Sequence, residues 1–514
     1  MYAQAMRPLC GAWGLRYAAP AAIFQEHRLN TMTTPQLPRL DQPPYAGMVR
    51  HAFAALLAGT TLLVLTSGLL PWPAPARMAL GVFVLAVIAW TLLRLADAPV
   101  ALAACLALVA LGVATPKALY ASLGDSLIWL LIGAFVIAAV LQQSGLAERW
   151  ALRAVAGART APRLLMRLTW VIVATAFVVP STSGRAALLL PVFVVLARAV
   201  AEPRTVRAMA LLFPSVILLS ACASLLGAGA HLVAVDFMRR LGQPAPSFAL
   251  WAWWATPFAV LSCFAATALI SALFLDRAAR LRPLSLPEPD RNPMTASQRS
   301  VMVVTGLTVA AWASAGLHGL DTTLVALVGA LAITCKPLTG VDLKAALKKV
   351  EWNLVLFLAA TLVLGEALLH SGAAAALADA LLDAVPLHSF GSGSVLMLAI
   401  GIALLSHLLI TSRTARALVL LPTVALPLAA AGINPALLIF VCVLGSGFCQ
   451  TLAVSAKPVA LFARAELPPE LSHAQTAIDG ALLRLALALL PVMALLLWLF
   501  ASFVWPLQGL PLRA

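Results

Sequence analysis

This sequence predicts an all-α polytopic membrane protein with about 11 transmembrane helices plus two re-entrant hairpins, arranged as two inverted-topology repeats. Three observations carry that expectation. Of 514 residues, 62% are hydrophobic and only 10% charged, and the mean hydropathy is +0.98, far from the balance of a soluble domain. Apolar runs long enough to cross a bilayer core of about 30 Å recur from residue 52 to residue 505. Finally, one pattern occurs twice, as Ser181-Thr-Ser-Gly-Arg-Ala-Ala-Leu-Leu-Leu-Pro191 and Ser412-Arg-Thr-Ala-Arg-Ala-Leu-Val-Leu-Leu-Pro422.

Residues 1–50 contain no span and no secretory signal, and read as a disordered cytoplasmic segment in which Met32 resembles an ordinary start, so that residues 1–31 read as an upstream extension. A first span at 51–77 follows. Residues 78–275 form repeat 1, 276–300 a cytoplasmic linker, 301–505 repeat 2 and 506–514 a C-terminal tail. Candidate spans lie at 52–72, 78–95, 99–116, 125–143, 208–238, 250–275, 301–318, 321–336, 352–370, 435–463 and 479–505. Five per repeat is an odd number, which turns the second copy upside down, a recurrent transporter plan. A second landmark repeats at a similar offset: Leu141-Gln-Gln-Ser-Gly145 and Leu368-Leu-His-Ser-Gly372.

The net charge of +15 sits in short loops, not on a basic face with interleaved aromatics, which argues against nucleic acid. It sets topology instead. Loops 149–167, 198–207 and 277–299 are rich in arginine and therefore face the cytoplasm. The first two flank a segment too long for one span and too short for two, so a hairpin near 165–200 enters and leaves from inside. No Lys or Arg lies between Lys349 and Arg413, so the stretch His388–Ser394 is expected outside, and a hairpin near 393–430 enters from there. The N-terminus is then cytoplasmic and the C-terminus outside, in the inner or plasma membrane. The seven cysteines show no zinc-ligand spacing.

Each hairpin tip lies about 20 Å below the headgroups by helical rise. An arginine facing lipid there costs on the order of 3 kcal/mol, so Arg185, Arg413 and Arg416 need polar partners. Hydroxyl residues before a helix start are N-caps and leave amides and a positive dipole end at the tip. Two such tips meeting make an anion cradle, which nominates Ser181, Thr182, Ser183, Arg185, Ser412, Arg413, Thr414 and Arg416 as substrate-binding residues. Each tip precedes a span with a break, at Ala223-Ser-Leu-Leu-Gly-Ala-Gly-Ala-His231 and at Gly445-Ser-Gly447 with Ala453-Val-Ser-Ala-Lys-Pro458. Irregular backbone at membrane depth lines a cavity or is buried in protein, so His231 and Lys457 join the candidates. Glu366 and His370, one turn apart, are proton-coupling candidates. No HExxH, GxSxG or paired intramembrane Asp suggests an enzyme.

The two tips resemble the paired Ser-Asn-Thr hairpin motifs of the divalent anion/sodium symporter family, the dicarboxylate, citrate and sulfate carriers with a citrate-transporter-like domain. Trp129–Leu146 is similar to that family's fourth span, and Leu452-Ala-Val-Ser-Ala-Lys-Pro-Val-Ala460 to its late Pro-Val-Ala-Thr-Pro-Pro-Asn-Ala stretch. The resemblance implies a homodimer whose transport domain carries both hairpins like an elevator, a small anionic substrate, a carboxylate by preference, and no cofactor. Thr182 and Arg413 replace the family's asparagines, so the coupling ion, sodium or proton, is open and no metal site is assigned. A cation/proton antiporter or metalloid efflux carrier of the same architecture is the alternative.

Overall fold

Backbone amides inside a bilayer must be satisfied within the chain, which leaves helices for a sequence this apolar. The computed structural model describes residues 44–67, 70–288, 292–384, 391–453, 455–468, 471 and 478–513. The expectations for residues 1–43 and for the first part of His388–Ser394 fall outside these. Among the described residues the secondary structure is helical apart from one isolated bridge, Ile433 to Arg513.

The principal helices are α1 (Pro44–Thr66), α2 (Ala74–Thr91), α3 (Asp97–Ala110), α4 (Pro116–Ser122), α5 (Ser126–Gln143), α6 (Leu146–Val155), α7 (Ala161–Ala174), α8 (Thr182–Val200), α9 (Pro203–Ser220), α10 (Gly229–Arg240) and α11 (Phe248–Phe274). After the linker come α12 (Ala296–Ala313), α13 (Thr322–Ile333), α14 (Trp352–His370), α15 (Ala373–Ala384), α16 (Ser392–Leu405), α17 (Arg413–Leu420), α18 (Pro435–Gly445), α19 (Lys457–Ala463) and α20 (Ile478–Leu499).

Their limits follow local chemistry. Asp125, Glu202, Ser247, Asp321 and Asn434 each accept a hydrogen bond from an amide of the first turn they precede. The repeated Ser-Gly landmark ends α5 and α14 alike: Gly145 and Gly372 take φ of 69° and 80°, the left-handed cap that glycine adopts without a Cβ penalty.

Helices occupy all eleven stretches expected to span, but not all are spans by length. Among the described residues, seven segments are long and apolar enough to cross a membrane: Ala74–Thr91, Pro116–Gln143, Thr182–Val200, Pro203–Ala223, Phe248–Phe274, Trp352–His370 and Ile478–Leu507. Arg50–Thr66, Asp97–Ala110, Thr322–Ile333, Ser392–Leu408 and Pro435–Gly445 are apolar but shorter. The shortfall has two causes: caps and polar turns trim α3 and α13, and the breaks divide the stretches 208–238 and 435–463.

Packing exchanges partners between the halves: α5 lies on α13, and α3 on α14. At the first contact a Cβ on Gly133 would stand 3.0 Å from that of Ala326, so the missing side chain sets the approach. At the second, the Cys105 thiol donates to the Ala360 carbonyl at 3.2 Å. The window Pro203–Ala223 is 94% buried against 28% for Ile478–Leu507, which makes α9 the centre; α7, α8, α11 and α19 pack around it. Outward residues such as Leu63, Leu106, Trp170, Leu307, Val328 and Leu487 are exposed, the apolar exterior a lipid environment accepts.

Both expected hairpins are helix, 3₁₀ turn, non-helical break, helix. In the first, α7 passes through Thr175–Phe177 and residues 178–181 into α8; in the second, α16 passes through Ser406–Leu408 and residues 409–412 into α17. Proline does not end the second arms. Helix α8 continues past Pro191 to Val200, while α17 widens into a π turn, Leu421–Ala425, which accommodates the donor that Pro422 lacks.

Candidate functional site

The two copies of the repeated pattern are capped in the same way. Ser181 accepts from the Gly184 amide at 3.2 Å and Ser412 from the Ala415 amide at 3.3 Å. Each hydroxyl satisfies one first-turn donor and leaves its neighbours free. The tips meet at one cavity of about 420 Å³. Six of its wall segments are helix beginnings: Ala96–Ala98 of α3, Ser181–Ser183 of α8, Ala228–Gly229 of α10, Glu351 and Asn353 of α14, Ser412–Thr414 of α17, and Ala456–Pro458 of α19. Positive dipole ends therefore converge on one space, an arrangement that favours negative charge.

The breaks make this convergence possible. The first, after α9, runs through two 3₁₀ turns to Ala228. A Cβ on Gly227 would stand 2.0 Å from the Ala221 carbonyl oxygen, so the chain could not fold back here with a side chain. The second separates α18 from α19 by residues 446–456.

The three arginines have different surroundings. Arg185 is wholly buried and hydrogen-bonded at every nitrogen: Nε donates to Thr175 Oγ1 at 3.0 Å, Nη1 to the Ile217 carbonyl at 2.9 Å, and Nη2 to the Ile172 carbonyl and Ser220 Oγ, both at 2.7 Å. It fastens the first tip to α7 and α9 and is not among the residues lining the cavity. Arg416, at the equivalent position of the second copy, is also wholly buried and does line the cavity. Among the described residues its Nε, Nη1 and Nη2 have no hydrogen-bond partner.

Arg413 lies between these extremes. It lines the cavity while Nη1 donates to the Leu218 carbonyl at 3.3 Å and Nη2 to His231 Nε2 at 3.2 Å. Because guanidinium only donates, His231 Nε2 must accept, and its Nδ1–H then donates to the Ser224 carbonyl at 3.0 Å. The imidazole is neutral and acts behind Arg413; it does not line the cavity. Thr182, Ser183, Thr414 and Lys457 do.

The citrate transporter family model matches residues 83–445. This chain belongs to that family. As a citrate transporter family member it carries, among its described residues, seven segments long and apolar enough to cross a membrane. A membrane protein of Cupriavidus necator is 26% identical over 325 residues, 60% of this chain. The chain covers 62% of that relative's length. The crystal structure of the YdaH transporter of Alcanivorax borkumensis, described as having an unusual topology, matches with a TM-score of 0.50 at 16% identity, over 74% of this chain and 86% of that one. That likeness is one of fold.

In this family member Glu366 and His370 lie at the far end of α14 from Asn353, roughly 20 Å along the helix axis. Glu366 pairs with Arg240 Nη1 at 3.3 Å, and His370 is exposed. Sequence reasoning missed Asp97, Glu351 and Asn353, all on the cavity wall. Their one signal is position: each sits at the head of an apolar run.

Proposed function

We propose that the chain is a secondary active transporter that moves a small organic or inorganic anion, a carboxylate by preference, by elevator-type alternating access. The observation that carries this reading is Arg416: a wholly buried guanidinium on the cavity wall with three nitrogens unpartnered among the described residues. A buried charge without a partner is costly, and a planar carboxylate matches its donor fork. Arg413, Lys457 and the helix beginnings add positive potential. Ser181, Thr182, Ser183, Ser412 and Thr414 supply hydroxyls for orientation, while Arg185 and His231 position the tips.

In this reading α7–α10 and α16–α19 travel together as the elevator, the second repeat is inverted, and the protein works as a homodimer in the inner membrane. The loop charges assign the beginnings of α3 and α14 to the cytoplasm, so the cavity belongs to an inward-facing form. Arg413, Arg416 or Lys457 serves as a tethered cation in place of sodium.

The test is a thermal-shift screen of purified protein against carboxylates, sulfate and other oxyanions, with and without sodium, repeated on Arg416→Ala. Stabilisation by an anion that the variant loses is the expected result. Stabilisation by cations alone would instead favour the cation/proton antiporter, for which Asp97 and Glu351 on the wall are the supporting observation. Metal oxyanions alone would favour an efflux carrier.

A further inference from the structure

Four of the chain's six lysines fall within residues 336–349, although arginine is its basic residue nearly everywhere else. The stretch links α13 to α14 through two short helices, Lys336–Thr339 and Leu343–Leu347. It is held from behind. Ser297 Oγ, at the start of α12, donates to the Thr339 carbonyl at 2.6 Å, and Leu343–Leu347 packs on α5 with Ala346 buried. Lys336, Lys344, Lys348 and Lys349 are left exposed. Among the described residues their ammonium groups have neither a hydrogen bond nor an ion pair. The one acid of the stretch, Asp342, is engaged in accepting from the Ala345 amide at 2.7 Å.

Lys344 and Lys348, one helical turn apart, share an open groove with Leu343, Leu347 and Trp352. The Trp352 indole is fixed there by donating its Nε1–H to the Leu347 carbonyl at 3.2 Å. Leu338, Leu343 and Trp352 are exposed. Apolar surface and two unpaired ammonium groups thus sit side by side between two apolar helices, a combination that suits the headgroup level of a bilayer. Lys349 is turned elsewhere: it lines a smaller cavity with Gln142, Ser181 and Glu351.

We propose that this groove binds an acidic diacyl phospholipid, its headgroup phosphate between Lys344 and Lys348 and an acyl chain against Leu343, Leu347 and Trp352. The site is separate from the central cavity and does not depend on what is carried there. Charge selects the lipid: a zwitterionic headgroup brings an ammonium of its own to a groove with no carboxylate to receive it. Lysine suits the task, since a compact charge on a flexible stem meets a phosphate without imposing the fixed donor plane of arginine. Each lysine near an anionic surface adds about fivefold in affinity, so the pair gives about 25-fold. Trp352 stands in sequence between Glu351 and Asn353 of the cavity wall, so a bound lipid fixes the beginning of α14 to the leaflet.

The test uses the full chain in phosphatidylcholine vesicles, with phosphatidylglycerol or phosphatidylcholine carrying brominated acyl chains as the quencher. The Trp352 emission is the difference between wild type and Trp352→Phe. Half-quenching should need about 25-fold less brominated phosphatidylglycerol than brominated phosphatidylcholine, and high salt should shrink that ratio. Lys344→Gln combined with Lys348→Gln should bring the two lipids level, whereas Lys344→Arg with Lys348→Arg should keep the preference. Equal quenching by both lipids in wild type overturns the proposal, as does a preference that survives in the double Gln variant. Displacement of phosphatidylglycerol by inorganic phosphate overturns it too, by making the groove a site for a free anion. If the double Gln variant does not fold, the wild-type ratio and its salt dependence decide.

Discussion

Arg413, the first residue of α17, donates to Nε2 of His231, 182 residues earlier in the chain, at 3.2 Å. This bond joins α17 to the start of α10 and orients a cavity arginine from behind. Losing the imidazole leaves a half-buried guanidinium with one fewer acceptor, which costs about 1–3 kcal/mol. His231→Ala should therefore lower the unfolding midpoint and weaken anion binding together. An unchanged midpoint would mean that Arg413 does not depend on His231.

Arg185 and Arg416 should respond in opposite ways to the same substitution. Arg185→Ala removes four hydrogen bonds and should cost about 2–4 kcal/mol of stability. Arg416→Ala relieves an unpartnered buried charge, so its thermal midpoint should stay level or rise while anion-induced stabilisation disappears. Thermal shift with and without anion separates the two. Equal destabilisation would contradict the division of roles.

Gly447 is the seat of the Arg413 guanidinium. A Cβ there would lie 2.8 Å from Nη2, 3.2 Å from Cζ and 3.0 Å from the Leu444 carbonyl. Gly447→Ala should displace the arginine and abolish uptake in proteoliposomes. Gly480→Ala, where nothing lies within 4 Å, should leave uptake intact.

Stability should fall in acid partly through Glu202. Burial opposes its ionisation, but hydrogen bonds from the Thr205 hydroxyl and from the amides of Thr205 and Arg204 outweigh that, and its carboxyl is held below the usual value of 4.5. The contribution is therefore complete above that value and lost as pH falls through the lower folded one. Glu202→Ala should cost about 1 kcal/mol at pH 7, and the difference from wild type should shrink below pH 4.5 in denaturant titrations. A gap that does not change with pH would exclude this cap.

Much of the architecture was legible. The limits of α5 and α14 fall within a residue of the stretches expected, because caps and left-handed glycines mark them locally. The breaks were legible from glycine and proline. The cavity was only half so. Arg185 and Arg416 are the same letter in the same motif, and Thr175 and Ser406, at matching positions, both donate back to the carbonyl three residues earlier, at 2.6 and 2.7 Å, yet Thr175 also accepts from Arg185 while Arg416 has no hydrogen-bond partner among the described residues. Such a difference lies in side-chain direction, not in pattern. Asp97 and Glu351 were invisible for another reason: an acidic residue at a helix beginning has a sufficient local explanation in the dipole, and only convergence in space gives it a second one.

The bond between Arg413 and His231 also sets an order of events during synthesis. At roughly 5–20 residues per second, a ribosome needs about 10–40 s to travel from the histidine to the arginine. Throughout that interval the Leu218 carbonyl and His231 Nε2 lack the donor that later engages them. The first half of the chain must therefore wait in the membrane with its central break incomplete, and the second half acts as its chaperone.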